Sequence, residues 1–489
     1  MILFQYLTRL LLPGLSIALL GCGQETVIHT ANVVRFETNA TYVAVQDGST
    51  STWKMRLKDN ASNSLSQVSL VLKDANRRYG LVFVCQGQDA SSSEGFTNIK
   101  SHFVTTVFAT ADELSSLSFL CRNVLEAKGP GKMYGTVKAE PPSNNVVSDS
   151  QLYVDIAIGE SISLRALEAF AAEVPEGSHD VLAMAGTLND NDDLIPTAFY
   201  SGSGTAFAGK ASAAASNVLF STGFGSSTYV SPSAPRTTAS VIGVGNLAAD
   251  ETWAARVGFV GQNRGYLLLK ELKGTKASET TSFEFTNVPT YRVTRDLVTT
   301  RSKFINDKQA HELSVSVVSA EGEEQRAYYH FFQDVPTLTA ALPAPPLTRP
   351  EFSTSTTGAR AIVRAKWTSY ADANVGPGSL YRLEAKGIAI PVPIIGDRPP
   401  PPEKPLVWTN YVTSGWVESD PIIFEIPDLS TAEGWNSNWD FDAKKKQFGW
   451  THHSYASANK AGQIIDYLEN RKVIDKLKFA VAHQSGSME

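Results

Sequence analysis

The stretch TYVAVQDGSTSTWKMRL, Thr41 to Leu57, decides the fold class. Tyr42, Ala44 and Gln46 alternate with Val43 and Val45, the period of two that sends successive side chains to opposite faces of a strand. Asp47-Gly48 then supplies a strong hairpin turn ahead of Trp53 and a second strand. The same pattern continues outward. LVLKDANRRYGLVFVC, Leu70 to Cys85, places a turn at Asp74 to Arg77 before a β-branched and aromatic run. VFATADELSSLSFLC leads back to Cys121, and MYGTVKAE, Met133 to Glu140, closes this first unit. Further on, ELSVSVVSAEGEEQRAYYHFF, Glu312 to Phe332, reads as two strands around Glu321-Gly322.

Alternation of this kind, with a turn signal every ten residues or so, predicts an all-β chain of tandem, Ig-like β-sandwich modules. Helical periodicity is sparse. SISLRALEAFAAEV fits one short helix or a strand. AGQIIDYLENRKVIDKLKFAV, Ala461 to Val481, is the best helix candidate, and its last residues fit a final strand equally well. Proline marks the boundaries: KAEPPSNNVVSDS, Lys138 to Ser150, and LPAPPLTRP, Leu342 to Pro350, a stiff linker of polyproline II character. IPVPIIGDRPPPPEKP, Ile390 to Pro405, reads as an edge or a long inter-strand loop, because proline cannot donate to a ladder. Gly202 to Ser233 is rich in Gly, Ser and Ala, a loop or small-residue strands. The expected layout is a signal at 1–21, a tether at 22–30 and a disulfide-bearing β module at 31–140. Sandwich modules follow at 150–235 and 236–345. A Trp-rich β domain with a Pro-rich loop and a C-terminal helix occupies 351–489.

At the N-terminus one basic residue, Arg9, precedes the apolar run Leu10 to Leu20. About eleven helical residues span roughly 17 Å, short of a hydrocarbon core of about 30 Å, so the run suits a secretory signal. Leu19-Leu20-Gly21-Cys22 resembles the lipobox of bacterial lipoproteins, with Leu20 larger than the usual Ala or Ser. The resemblance implies that Cys22 becomes the first residue of the mature chain and carries acyl chains, palmitate among them. Each buried methylene contributes about 0.8 kcal/mol, so several chains anchor a folded body firmly. Gly23 follows, where an Asp marks inner-membrane retention in enteric bacteria. The expectation is the outer membrane, with the body on its periplasmic or outer face. An ordinary signal peptide with a chance cysteine is the alternative.

A second resemblance covers about Thr41 to Lys138. QDG, a Trp, RYG-x-x-x-VC and then T-x-x-EL-x-x-L-x-x-x-C, ending at Cys121, are similar to a module of bacterial surface lipoproteins with no agreed activity. VPEGSHDVLAMAG, Val174 to Gly186, resembles the carboxypeptidase-regulatory β-sandwich, a structural accessory rather than a catalyst.

The formal net charge is −6 and charged residues make up 19% of the chain, below the usual quarter. No extended Lys/Arg cluster gives a phosphate-binding footprint, which argues against nucleic acid. Three cysteines are an odd number for an exported chain. Lipidation of Cys22 leaves Cys85 and Cys121, whose default in an oxidising compartment is a disulfide; two buried free thiols are the alternative.

Motifs for catalysis fall short. GTAFAGKAS, Gly204 to Ser212, has the P-loop glycines and lysine but Ala211 where a magnesium-binding hydroxyl is needed. LNDNDDLIP offers Asp190, Asp192 and Asp193 to calcium but lacks the EF-hand Gly and Glu, and a hairpin turn explains it. His311 begins a zincin-like HELSV, yet Val315 stands where the second His belongs. Adjacent His452 and His453 would point to opposite faces of a strand. One region rises above background. GWNSNWDFDAKKKQFGWTHHSY holds Trp435, Trp439 and Trp450, with Asp440 and Asp442 sharing a strand face. Exposed rings and carboxylates there would form a glycan-binding face, or the carboxylates would cleave a glycoside; core packing is the alternative. The expected protein has no cofactor, no metal and no catalytic site. Its partners are the membrane, through the anchor, and a glycan or an envelope protein, in a binding or structural role or as an accessory subunit.

Overall fold

The structure, a computed structural model, describes residues 32–58, 65–86, 102–121, 130–139, 153–157, 161–165, 169–175, 177–188, 194–208, 216–220, 227–229, 237–242, 247, 251–260, 266–274, 280–285, 293–294, 302–303, 310–319, 324–332, 338–341, 351–357, 360–369, 378–388, 405–417, 420–440, 448–457, 461–470 and 477–488. The signal region with Cys22, the tether, the Pro-rich linker at 342–350, Asp190, Asp192, Asp193 and Asp442 lie outside them.

Among the described residues the chain is all-β with one short α-helix near its C-terminus, Ala461–Asn470. Asp47-Gly48 turns the chain between the antiparallel strands Tyr42–Asp47 and Lys54–Lys58, as the alternation predicts. The ambiguous SISLRALEAFAAEV forms two strands, Ser161–Arg165 and Ala169–Pro175. The best helix candidate divides: its first part is the helix, and its last residues open the strand Lys478–Met488. Small-residue strands, Leu194–Ala208, Ser216–Phe220 and Ser227–Tyr229, occupy much of the Gly/Ser/Ala region.

A twelve-stranded sheet organises the molecule. Its order is Tyr266–Gly274, Thr252–Val260, Ala310–Val318, Glu324–Phe332, Lys478–Met488, Phe448–Ser457, Gly378–Ile388, Pro405–Thr413, His102–Thr110, Arg78–Gln86, Tyr42–Asp47 and Lys54–Lys58. Neighbours are antiparallel except at one seam, where His102–Thr110 runs parallel to Pro405–Thr413. The sheet thus draws strands from three of the four segments expected as modules. Alternation specifies a strand and its faces but not its partner, so this union has no local signature. Pro130–Ala139, read from the sequence as the close of the first unit, pairs instead with Ala169–Pro175, Leu194–Ala208 and Ser216–Phe220 in an eight-stranded sheet.

Both faces of the large sheet are covered near the seam. On one face lie Tyr79, Leu81, Phe83 and Cys85, with Val43 and Val45. They pack against the three-stranded sheet of Val33–Thr38, Ser66–Val71 and Ser116–Phe119 and against Ile464 and Ile465 of the helix. The opposite face carries Tyr42, Ala44, Val82, Val84 and Trp408, which meet Val363, Ala365 and Trp367 of a second three-stranded sheet, Glu351–Thr357, Arg360–Trp367 and Ile422–Glu425. Burial of both parities explains why Arg78–Gln86 reads as a continuous apolar run.

Each outer strand of the large sheet has a bulge beside it. Opposite Val43 and Ala44 the register skips Arg56; opposite Val257 and Gly258 it skips Leu269. Bulges and charged side chains are recognised devices for blocking edge-to-edge pairing. Among the described residues no helix is long and apolar enough to cross a membrane.

Candidate functional site

The tryptophan segment folds back on the large sheet. Trp435 and Trp439 are half-buried, and Asp440 is buried. A short 3-10 turn, Ser437–Trp439, is capped by the Asn436 side chain, which accepts from the Asn438 backbone N–H. The turn places the two indoles 5.0 Å apart, edge to face. Tyr42 meets both, at 5.7 Å from Trp435 and 5.1 Å from Trp439, and Trp408 lies 5.9 Å from Trp435. Hydrogen bonds fix the arrangement. Trp435 Nε1 donates to Asp440 Oδ1 at 3.2 Å, Trp408 Nε1 to the Trp439 carbonyl at 2.9 Å, and the Tyr42 hydroxyl to the Glu433 carbonyl at 3.0 Å. Burial, with help from the Glu433 charge, pushes the Tyr42 phenol up to about 12. The phenol therefore stays protonated and keeps donating at neutral pH.

Stacking on a sugar needs an open ring face. These rings are turned toward one another and toward Tyr42, and one oxygen of the buried carboxylate accepts from an indole. The arrangement is that of a packed clasp holding Asp428 to Asp440 on the sheet. Trp450 is on the strand Phe448–Ser457, across from Ala385, and Asp442 is outside the described residues. The structure thus brings Trp435, Trp439 and Asp440 together.

Sequence reading assigned no role to Glu113, which stands in the quoted T-x-x-EL motif. Its carboxylate accepts from the hydroxyls of Thr110 (2.9 Å), Thr413 and Ser414 (2.9 Å) and from the Gly415 N–H (2.8 Å). One side chain thereby ties the end of His102–Thr110 to the end of its parallel partner some three hundred residues on. Beside this junction is a groove of about 220 Å³ lined by Gly48, Arg78, Trp416, Val417 and Ile422 to Phe424. The Arg78 guanidinium sits 6.0 Å from the Trp416 ring and also meets Asp74. Burial alone would raise the Asp74 carboxyl, but hydrogen bonds from Arg78 and Asn76 and the Arg78 charge hold it below its ordinary value.

Cys85 and Cys121 form a disulfide, Cα to Cα 5.5 Å, within the first core. His311 is buried in the large sheet with its ring 5.3 Å from Phe332. Gly204 to Ala208 finish the strand Leu194–Ala208. His452 and His453 hold adjacent places on Phe448–Ser457. Among the described residues no group of three His, Cys, Asp or Glu side chains could hold a metal ion.

His330 is a buried titratable group with a testable consequence. Its ring lies 5.8 Å from Phe332, its Nδ1 has no hydrogen-bond partner, and its strand position is opposite Lys478. Burial first, then the Lys478 charge, lowers its pKa from 6.5 to about 4. Below about pH 6.5 the unfolded chain therefore takes up a proton that the folded chain refuses until about pH 4. Stability is fully present above that window and falls as pH drops through it, by at most about 1.4 kcal/mol per pH unit from this residue. Urea midpoints measured across that range should fall less steeply for His330→Phe than for the wild type; parallel slopes would refute the assignment.

No protein-family profile matches the chain, and no curated protein does. Among solved structures, an adhesin candidate from Bacteroides ovatus ATCC 8483 matches at 13% identity over 47% of this chain and 96% of its own, with a TM-score of 0.17. The FN1–FN3 domains of chicken CNTN1 match at 8% identity over 68% of this chain and 94% of theirs, with a TM-score of 0.11. The pilus adhesin SpaC from Lactobacillus rhamnosus GG matches at 8% identity over 68% of this chain and 39% of its own, with a TM-score of 0.12.

Proposed function

We propose that this is an exported, lipid-anchored envelope protein whose β body has a binding or structural role rather than a catalytic one. The pairing of Cys85 with Cys121 carries the reading. A disulfide in the core is the mark of a chain that matures in an oxidising compartment. It also leaves Cys22, at the end of an apolar signal-like run, as the one cysteine outside the pair. That is the residue the lipobox resemblance assigns to acylation. The outer membrane is the proposed site, on the grounds of Gly23 following the cysteine.

A binding or structural role is supported by where the polar chemistry goes. Glu113 and Asp440 hold strands and turns together, and Trp435 and Trp439 pack against the core. Cells fed labelled palmitate should incorporate it into the wild type and not into Cys22→Ser. Label retained in Cys22→Ser, or absent from the wild type, would remove the anchor from the account.

A further inference from the structure

We propose that the edge strand Lys54–Lys58 docks on the anionic phospholipid surface of the membrane that carries the chain. The choice of membrane as partner rests on the lipid-anchor reading above. Three of the strand's five residues are cations, Lys54, Arg56 and Lys58, and all three are exposed. Among the described residues none forms an ion pair or side-chain hydrogen bond. Elsewhere the described cations are commonly paired: Arg256 and Lys273 with Glu271, Arg326 with Glu251, Arg364 with Glu425, Lys366 with Glu351 and Arg382 with Glu384. Gly434 lies against Met55 and Lys58, which brings the neighbouring Glu433 toward this end, yet Glu433 makes no ion pair with Lys58.

A run of unpaired cations is thus concentrated on one outer strand of a chain whose formal charge is −6. Two features favour a membrane as its counterpart. The first is charge complementarity with anionic headgroups, which act within about 8 Å at physiological salt, so the near patch counts and the distant acidic body does not. The second is reach. Val33, where the first strand begins, follows Cys22 by about eleven residues, a span of at most roughly 40 Å, so the tether keeps the first unit close to the bilayer. Lys54 pairs with Val45 of one core and Lys58 with Tyr42 of the other, so the cations flank both faces of this edge, and docking would hold the body with the edge of the sheet toward the membrane.

Edge lysines also serve simply to repel other strands, and the test separates the two roles. The chain from Gly23 to Glu489 keeps every described residue and carries no lipid, so its result is independent of acylation. Its partition is measured by co-sedimentation with vesicles of phosphatidylglycerol and phosphatidylcholine, and with phosphatidylcholine alone. Each basic residue near an anionic surface is worth about fivefold, so Lys54→Gln, Arg56→Gln and Lys58→Gln together should weaken binding to the anionic vesicles on the order of 100-fold. High salt should do the same, and neutral vesicles should not retain the wild type. Arg364→Gln with Lys366→Gln, which removes two cations already paired, should bind as the wild type does. Equal binding to both vesicle types, an unchanged triple variant, or an equal loss in the control pair would overturn the proposal. So would a triple variant that self-associates while keeping its vesicle binding, since the cations would then guard the edge only. Failure here leaves the palmitate result standing, and failure of palmitate labelling leaves this measurement intact.

Discussion

Trp408→Ala should cost about 3–5 kcal/mol of folding stability, near the upper end for a single core truncation. Trp408 is fully buried on the strand that pairs across the seam, and it shares a core with Tyr42, Val82, Val84 and Tyr381. Removing the indole opens a large void between layers that come from distant parts of the chain. It also strips the Trp439 carbonyl of its indole donor and Trp435 of a ring neighbour, so the clasp loses two of its contacts. Trp408→Phe keeps most of the volume while losing the donor, and its cost should be the smaller of the two. Chemical denaturation monitored by circular dichroism checks this. A Trp408→Ala loss below about 1 kcal/mol would mean that the seam core is not packed as described.

The disulfide should carry a comparable share. Cys85 and Cys121 are 36 residues apart, and closing such a loop in the unfolded chain is worth about 4 kcal/mol on the chain-entropy view. Cys85 occupies the strand Arg78–Gln86 in the large sheet, whereas Cys121 follows Ser116–Phe119 in the covering sheet. The bond therefore joins two layers as well as closing a loop. Phe83 reinforces the same junction, stacked 4.3 Å from Phe119 and edge-on to Phe36 at 5.7 Å. Double replacement, Cys85→Ser with Cys121→Ser, should lower stability by about 2–5 kcal/mol, and reduction of the wild type should approach the same value. Unfolding midpoints with and without a reductant would show it; coincident curves would contradict it.

These expectations depend on contacts that the sequence showed unevenly. Tyr42, Ala44, Val43 and Val45 announced a strand, because their period of two is a local property. That both parities are buried, Tyr42 and Ala44 in one core and Val43 and Val45 in the other, depends on layers supplied by remote residues. Asp47-Gly48 was legible as a turn. The carboxylate also accepts from the backbone N–H groups of Lys73 and Asp74, which links it to the next turn and leaves no trace in spacing. Cysteine parity pointed to the 85–121 pair without any geometry. The parallel seam was out of reach, since nothing in His102–Thr110 names Pro405–Thr413 as its neighbour.

The tryptophan region shows the same division. Composition singled it out, and the sequence left a glycan-binding face and a packed core as competing readings. Tyr42, some 390 residues upstream, supplies the ring against which Trp435 and Trp439 pack, and no local pattern could reveal that. Glu113 was visible only as part of a motif. Its partners Thr413, Ser414 and Gly415 explain why a carboxylate is useful at that place: it gathers four donors where two strands end.

The most direct test of the account is intact-mass spectrometry of the native protein extracted from membranes and left unreduced. The expected species begins at Cys22, bears acyl chains on that residue, and weighs two hydrogens less than the dithiol form because Cys85 and Cys121 are joined. A chain that retains an unmodified Met1, with both thiols free, would contradict it.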